Sequence, residues 1–63
     1  MIKTKRILDL QKNDRIEGKN DTFQVISNNN GLLYLYSEKT GFFTERNFRR
    51  YLKQDINMKV YIL

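Results

Sequence analysis

Apolar and polar residues alternate over several short stretches of the chain, as β-strands with one buried face require. Thr22–Ser27 is the clearest such stretch, because it is rich in β-branched and aromatic residues and places Phe23 and Val25 on one face. Arg15–Gly18 alternates in the same way, with Ile16 facing inward. The pattern therefore predicts two neighbouring strands joined by a short polar turn.

A third strand follows a turn signal. Asn28–Gly31 separates Thr22–Ser27 from the apolar run Leu32–Ser37, and its Asn-Gly pair tolerates the positive φ angles that a tight hairpin turn needs. In the apolar run two leucines share one face, and Tyr34 and Tyr36 share the other. Either both faces are covered, or the tyrosines form an aromatic ladder on the outside of the sheet.

The stretch Phe42–Lys53 combines aromatic residues with the densest positive charge in the chain. After a turn that ends in glycine, we predict a short strand over Phe42–Thr44. We predict a helix from Glu45 to Lys53, with Thr44 as its N-cap and Glu45 at the positive end of the helix dipole.

The predicted helix has two different faces. At about 100° per residue, Phe48, Tyr51 and Leu52 fall on one side, which we expect to pack against the core. Four cations share the opposite side: Arg46, Arg49, Arg50 and Lys53. The alternative to a binding role for these cations is a solvated helix surface.

The sequence predicts the structure of the C-terminal end of the chain more clearly than that of the N-terminal end. Met58–Leu63 alternates and predicts a terminal strand. The first residues fit neither period, so Ile7–Leu10 is either a short edge strand or a single helical turn. Three cations precede it, at Lys3, Lys5 and Arg6. They form either a flexible arm that touches phosphate or a solvated terminus.

These elements together predict a mainly β fold with one short helix, arranged as a small five- to six-stranded SH3-like barrel. A chain of 63 residues is long enough for one small domain, 1–63, and not for two. Within it, residues 1–11 form either a loosely attached arm or an edge strand. The protein is expected to be a monomer or a weak homodimer joined at an edge strand, either Met58–Leu63 or Ile7–Leu10.

Composition argues against catalysis. The chain has no His and no Cys, which removes the commonest general base, the thiolate nucleophile and the usual zinc ligands. Its acidic residues lie mostly in turns or beside cations, and its glycines are isolated. We therefore expect no enzyme activity, no catalytic residue, no metal and no cofactor. We also expect no signal peptide and no membrane span, and hence a cytoplasmic location.

A net charge of +5 favours an acidic partner, which is either nucleic acid (DNA or RNA) or an acidic host protein surface. Arginine and lysine contact phosphate, and exposed aromatic rings stack on bases. The candidate binding residues are Arg46, Arg49, Arg50, Lys53, Tyr34, Tyr36 and Lys39. Phe42 and Tyr51 are also possible stacking residues, but we expect both to pack in the core.

The run Asn13–Lys53 resembles small SH3-like barrel proteins, including short ones encoded by phages and mobile elements of Gram-positive bacteria. The similar segments are Asp14–Glu17, Phe23–Ile26, Leu33–Leu35 and Phe48–Leu52. The resemblance implies a binding module for nucleic acid or protein. It also implies an alternative function, a phage protein that inhibits a host nucleic-acid-processing or defence enzyme, or acts as an adaptor, without binding nucleic acid itself.

Overall fold

The computed structural model describes residues 3–63 of the chain, so Met1 and Ile2 of the ambiguous first segment lie outside it. Six strands, one 3₁₀ turn and one short α-helix make up the fold. In chain order they are β1 (Lys3–Arg6), the 3₁₀ turn (Ile7–Asp9), β2 (Arg15–Glu17), β3 (Thr22–Asn29), β4 (Leu32–Ser37), β5 (Phe43–Asn47), α1 (Arg49–Leu52) and β6 (Lys59–Ile62). The predicted fold class, mainly β with one short helix, is confirmed.

All six strands belong to one antiparallel sheet, in the order β1-β6-β2-β3-β4-β5. Strands β2 to β5 follow one another as a meander. The chain then crosses through α1, and β6 returns to lie between β1 and β2. The two outer strands of the sheet are therefore β1 and β5.

The Asn-Gly turn between β3 and β4 forms as the sequence predicts. Asn29 pairs with Leu32, and the two residues between them have positive φ angles of 51° at Asn30 and 97° at Gly31. The side-chain Oδ1 of Asn28 accepts a hydrogen bond of 3.0 Å from the backbone N–H of Gly31. This tip matters for the site described below, because α1 packs directly on it.

One hydrophobic core fills the inner face of the sheet. Its buried members are Ile7, Leu10, Ile16, Val25, Leu33 and Leu35. Of the two readings of Ile7–Leu10, the helical turn is the observed one, and it carries Ile7 into the core with no exposed surface. The side chain of Asn28 donates hydrogen bonds to the carbonyl oxygens of Ile7 and Leu10, at 2.8 and 3.0 Å, which fix this turn against β3.

The predicted boundary between strand and helix near Thr44 is wrong. Strand β5 continues to Asn47, and α1 spans only Arg49–Leu52, so Thr44 does not cap a helix. The reason is the neighbouring strand, because every residue of β5 pairs with one of β4 and the Phe48 N–H then donates to the Gly31 carbonyl at 2.8 Å. A helix of two to three turns is marginal by itself, so the sheet hydrogen bonds prevail over local helix propensity.

Two further predictions fail in the folded chain. Phe42 and Tyr51 were expected in the core, but they are 75% and 53% exposed, while Phe48 and Leu52 do pack against it. Neither segment proposed to join a homodimer is an edge. Strand β6 pairs with β1 over Lys59–Ile62 and with β2 at Ile62, and Ile7–Asp9 is a 3₁₀ turn. Neither segment is therefore an outer strand of the sheet.

Candidate nucleic-acid interface

The four cations predicted to share one helix face lie on two elements. Arg49 and Arg50 are in α1, and Lys53 is its C-terminal cap residue. Arg46 lies on β5 instead, opposite Leu33 of β4. All four side chains remain at the same end of the sheet, because β5 leads into α1 within two residues. We call this set, Arg46, Arg49, Arg50 and Lys53, the cationic end.

Arg49 differs from the other three because the fold uses its side chain. Its Nη2 donates a hydrogen bond of 2.9 Å to the backbone carbonyl of Asn29, and its backbone N–H donates to Oδ1 of Asn47 at 3.0 Å. The backbone of Arg49 also passes close to Gly31. Arg49 therefore anchors α1 to the tip of the β3–β4 hairpin.

Arg46, Arg50 and Lys53 are exposed, and within residues 3–63 none of them lies within ion-pair distance of a carboxylate. Glu45 precedes Arg46 in the chain, yet it makes no ion pair in this part of the structure. These three cations are thus available to a charged ligand. The sequence alone did not show this, because it does not reveal which acids face which cations.

The N-terminal cations have the opposite environment. Lys5 Nζ lies 2.8 Å from Oδ2 of Asp14, and Arg6 Nε lies 2.7 Å from Oδ2 of Asp9. A hydrogen bond from Lys5 and a second from a backbone N–H lower the pKa of Asp14. Because Lys3–Arg6 is strand β1, paired along its length with β6, the flexible-arm reading of these cations is wrong.

Tyr34 and Tyr36 lie on the outer face of β4, opposite the core, and form the aromatic ladder that was one of two predicted alternatives. They share it with Phe43 of β5, which the sequence analysis did not select. The rings of Tyr34 and Phe43 are parallel within 4°, with centroids 5.7 Å apart, and Tyr36 leans on Phe43 at 5.2 Å and 58°. We call Tyr34, Tyr36 and Phe43 the aromatic strip.

The pairing of β4 with β5 explains why Phe43 lies beside Tyr34 and Tyr36. Tyr36 and Phe43 lie directly opposite each other across the β4–β5 turn, so they must share a face. Phe42, the residue chosen from sequence, lies one position earlier, at the turn itself. A shift of one residue along a strand exchanges the two faces, and the register could not be fixed without the turn geometry.

Lys39 is separate from the cationic end. It belongs to the turn between β4 and β5, where its backbone N–H donates to Oδ1 of Asp21 at 3.0 Å. The cationic end packs at the other end of β4, whose six residues span about 17 Å. The predicted binding residues therefore form two basic groups, with the aromatic strip lying between them.

A groove of about 390 Å³ runs beside the cationic end. We call it the β5 groove, and it is lined by Glu45, Arg46, Asn47, Phe48, Tyr51 and Met58. The rings of Phe48 and Tyr51 meet at 6.4 Å in its wall. The groove borders strand β5, which is an outer strand of the sheet.

Neither a metal-type cluster nor a membrane-spanning helix is found in the described part of the chain. Within residues 3–63 no three acidic side chains lie together in a way that suits a metal ion. The only α-helix there has four residues, and no helix has the length and apolar character to cross a membrane. Comparison of the chain with known protein families, curated proteins and solved structures finds no match.

Proposed function

We propose that this protein is a small non-catalytic binder of nucleic acid, DNA or RNA, which acts inside the cell through the cationic end. The observation that carries the proposal is the distribution of charge. The segment 43–53 contains four cations and one carboxylate, so it holds three of the five net positive charges of the chain. Charge concentrated in this way attracts phosphate and raises the rate of encounter.

Each cation has a distinct role in this proposal. Arg46 and Arg50 contact phosphate oxygens, for which the guanidinium offers two donors in a planar fork, and Lys53 adds a point charge. Arg49 positions the others by holding α1 against the hairpin tip. A four-residue helix has no length to read a groove, so we expect phosphate-dominated binding with weak sequence preference.

The resemblance to small SH3-like phage proteins supports a proposal about where this activity takes place. We propose that the nucleic acid belongs to a host or phage nucleoprotein machine. The absence of His and Cys from the sequence is compatible with binding without chemistry.

Fluorescence anisotropy with labelled single-stranded and duplex oligonucleotides, at about 50 mM salt, tests the proposal. We expect binding at micromolar protein or below, and its loss in the double variant Arg50→Glu, Lys53→Glu. The matched control is Lys12→Glu, Lys19→Glu, which changes net charge equally in exposed turns elsewhere. The proposal is wrong if the wild type fails to bind at micromolar concentration, or if both double variants lose binding equally.

A second candidate, docking onto a host protein as an inhibitor or adaptor, is favoured by the free edge of β5. Ser37 N–H donates to the Phe42 carbonyl, and Phe48 N–H donates to the Gly31 carbonyl. The alternation of an antiparallel ladder then points the backbone groups of Phe43, Glu45 and Asn47 away from β4. These groups border the β5 groove, where an extended segment of a partner can add a strand.

This second candidate predicts a discrete partner that survives nuclease treatment of a host lysate. Capture should be lost in Tyr51→Ala, which removes part of the groove wall, and retained in Phe42→Ala, which removes an exposed ring outside the groove. Equal capture by both variants would exclude the β5 groove as the docking site.

A further inference from the structure

We propose that the aromatic strip stacks on unpaired bases, so that the ligand of this protein is single-stranded nucleic acid. The inference rests on the proposed function and names the class of ligand. In a duplex, the base faces are covered by neighbouring bases, whereas a single strand can place them on protein rings.

Two rings of the aromatic strip have large solvent-exposed surfaces. Tyr34 is 42% exposed and Phe43 is 56% exposed, although both stand on a sheet whose inner face is closely filled. The core does not need them, since Leu33 and Leu35, which alternate with the tyrosines along β4, are buried on the opposite side. Large aromatic area left in water is typical of a ligand-binding surface.

The geometry of the rings suits stacking. The rings of Tyr34 and Phe43 are parallel and stack on each other on the outer face of the sheet. Among the described residues Tyr34 stacks on Phe43 alone, so one face of its ring is not covered by another aromatic side chain. A base placed on that face extends the existing stack, and ring order is already established before the ligand arrives.

Charge at the two ends of the strip fits a nucleic-acid backbone. Arg49 lies at the hairpin tip, near the start of β4, through its contact with Asn29. Lys39 follows the end of β4, roughly 17 Å away along the strand. A single strand that runs along β4 therefore places bases over the rings, with the cationic end at one end of the strip and Lys39 at the other.

The polar residues beside the strip differ in charge between its two sides. Ser27 and Gln24 of β3 lie opposite Tyr34 and Tyr36 on the outer face, and both are uncharged. Glu45 of β5 lies opposite Tyr34 on the other side. Because a carboxylate repels phosphate, we expect the phosphates to avoid the position beside Glu45.

The test compares labelled oligothymidine with a duplex of mixed sequence, for the wild type and for Tyr34→Ala and Phe43→Ala. We expect the wild type to bind the single strand more tightly. Each variant should lose about fivefold to a hundredfold in single-strand affinity, the effect of losing the stacking of one base, and should bind duplex as before. Phe42→Ala, which removes an exposed ring outside the strip, should change neither affinity.

Two conservative variants separate stacking from folding. Tyr34→Phe keeps the ring and should keep single-strand affinity, whereas Phe43→Leu keeps apolar bulk without a ring and should lose it. Thermal melting checks that each variant folds. If single strand and duplex bind equally and the ring variants have no effect, this inference is wrong and the proposed function stands. If neither ligand binds the wild type, the proposed function is wrong as well.

Discussion

Three cations of the N-terminal half and the unpaired cations of the cationic end have opposite electrostatic surroundings. Lys5, Arg6 and Arg15 each lie within 2.8 Å of a carboxylate oxygen. Arg46 and Arg50, in the described part of the chain, have no such partner. Similar residue types thus stabilise the fold in one region and remain available to a ligand in the other.

The positions of the acids thus separate cations that stabilise the fold from cations that remain available to a ligand. Asp9, Asp14 and Glu38 lie next to the N-terminal cations, and hydrogen bonds from those cations lower the pKa of each carboxyl group. Near α1, Asp55 accepts a hydrogen bond from the backbone N–H of Asn57 and forms no ion pair there. Net charge alone cannot distinguish the two regions.

The largest expected effect comes from the contact that holds the cationic end in place. A Cβ added at Gly31 would lie 2.5 Å from Leu52 Cδ1, at a φ of 97° that disfavours alanine. We expect Gly31→Ala to cost about 3 kcal/mol, from backbone strain and overpacking together. The control is Gly41→Ala, also at positive φ, where an added Cβ would meet Tyr36 Oη at an ordinary contact distance of 3.8 Å; it should cost about 1 kcal/mol. Urea unfolding measures both, and equal costs would show that α1 does not depend on this contact.

The next largest effect separates the unpaired cations, whose removal should weaken binding, from the paired cations, whose removal should lower stability. Arg46→Gln with Arg50→Gln should weaken oligonucleotide binding about tenfold for each cation removed, as expected for a charge-assisted hydrogen bond, and leave stability unchanged. Arg6→Gln with Arg15→Gln should lower stability slightly and change binding by no more than about twofold. Anisotropy and thermal melting on the same samples give both values. Binding losses of equal size in the two double variants would contradict the comparison.

The ion-paired carboxyl groups should also make the stability of the fold depend on pH. Asp9, Asp14 and Glu38 have lowered pKa values in the folded state, so they bind protons less readily there than in the unfolded chain. Their stabilising contribution is complete above about pH 5, where the same groups are ionised in the unfolded chain, and it is lost as pH falls through the folded pKa values. We expect the urea midpoint to fall between about pH 6 and about pH 3, with a smaller fall in Asp14→Asn. An unchanged midpoint would mean that the ion pairs do not form in solution.

The smallest expected effect concerns the one carboxylate within the segment 43–53. Glu45→Gln removes repulsion toward a bound phosphate and should tighten oligonucleotide binding about twofold to fivefold. Glu17→Gln on β2 makes the same change in net charge two strands away from β4, and should have less effect. Anisotropy titrations at one salt concentration compare them. Weaker binding by Glu45→Gln would place the ligand elsewhere.

Local patterns predicted the strands and the hairpin turn because the signals for them are short-range. Asn30 and Gly31 supply their own turn geometry, and the alternation in Leu32–Ser37 identifies the buried face. The end of β5 is different, since Glu45–Asn47 has no strong local preference and becomes strand only through its pairing with β4. Sequence periodicity contains no information about that neighbour.

The candidate site was predictable only in part, for the same reason. The aromatic and basic residues were visible in the sequence, and Tyr34 and Tyr36 were correctly assigned to one face. The ion pair between Arg15 and Glu38 joins positions 23 residues apart. It follows from the folded arrangement of β2 and the β4–β5 turn, so the pairing that separates structural from available cations could not be derived beforehand.

The salt dependence of oligonucleotide binding tests most directly whether the unpaired cations contact phosphate. With three or four contacts to a single strand, the logarithm of the association constant should fall with the logarithm of salt concentration with a slope of about −2 to −3. Arg50→Gln should reduce the magnitude of that slope by about 0.7, and Lys12→Gln should leave it unchanged. A slope near zero, or the same reduction in both variants, would contradict a phosphate-binding surface at the cationic end.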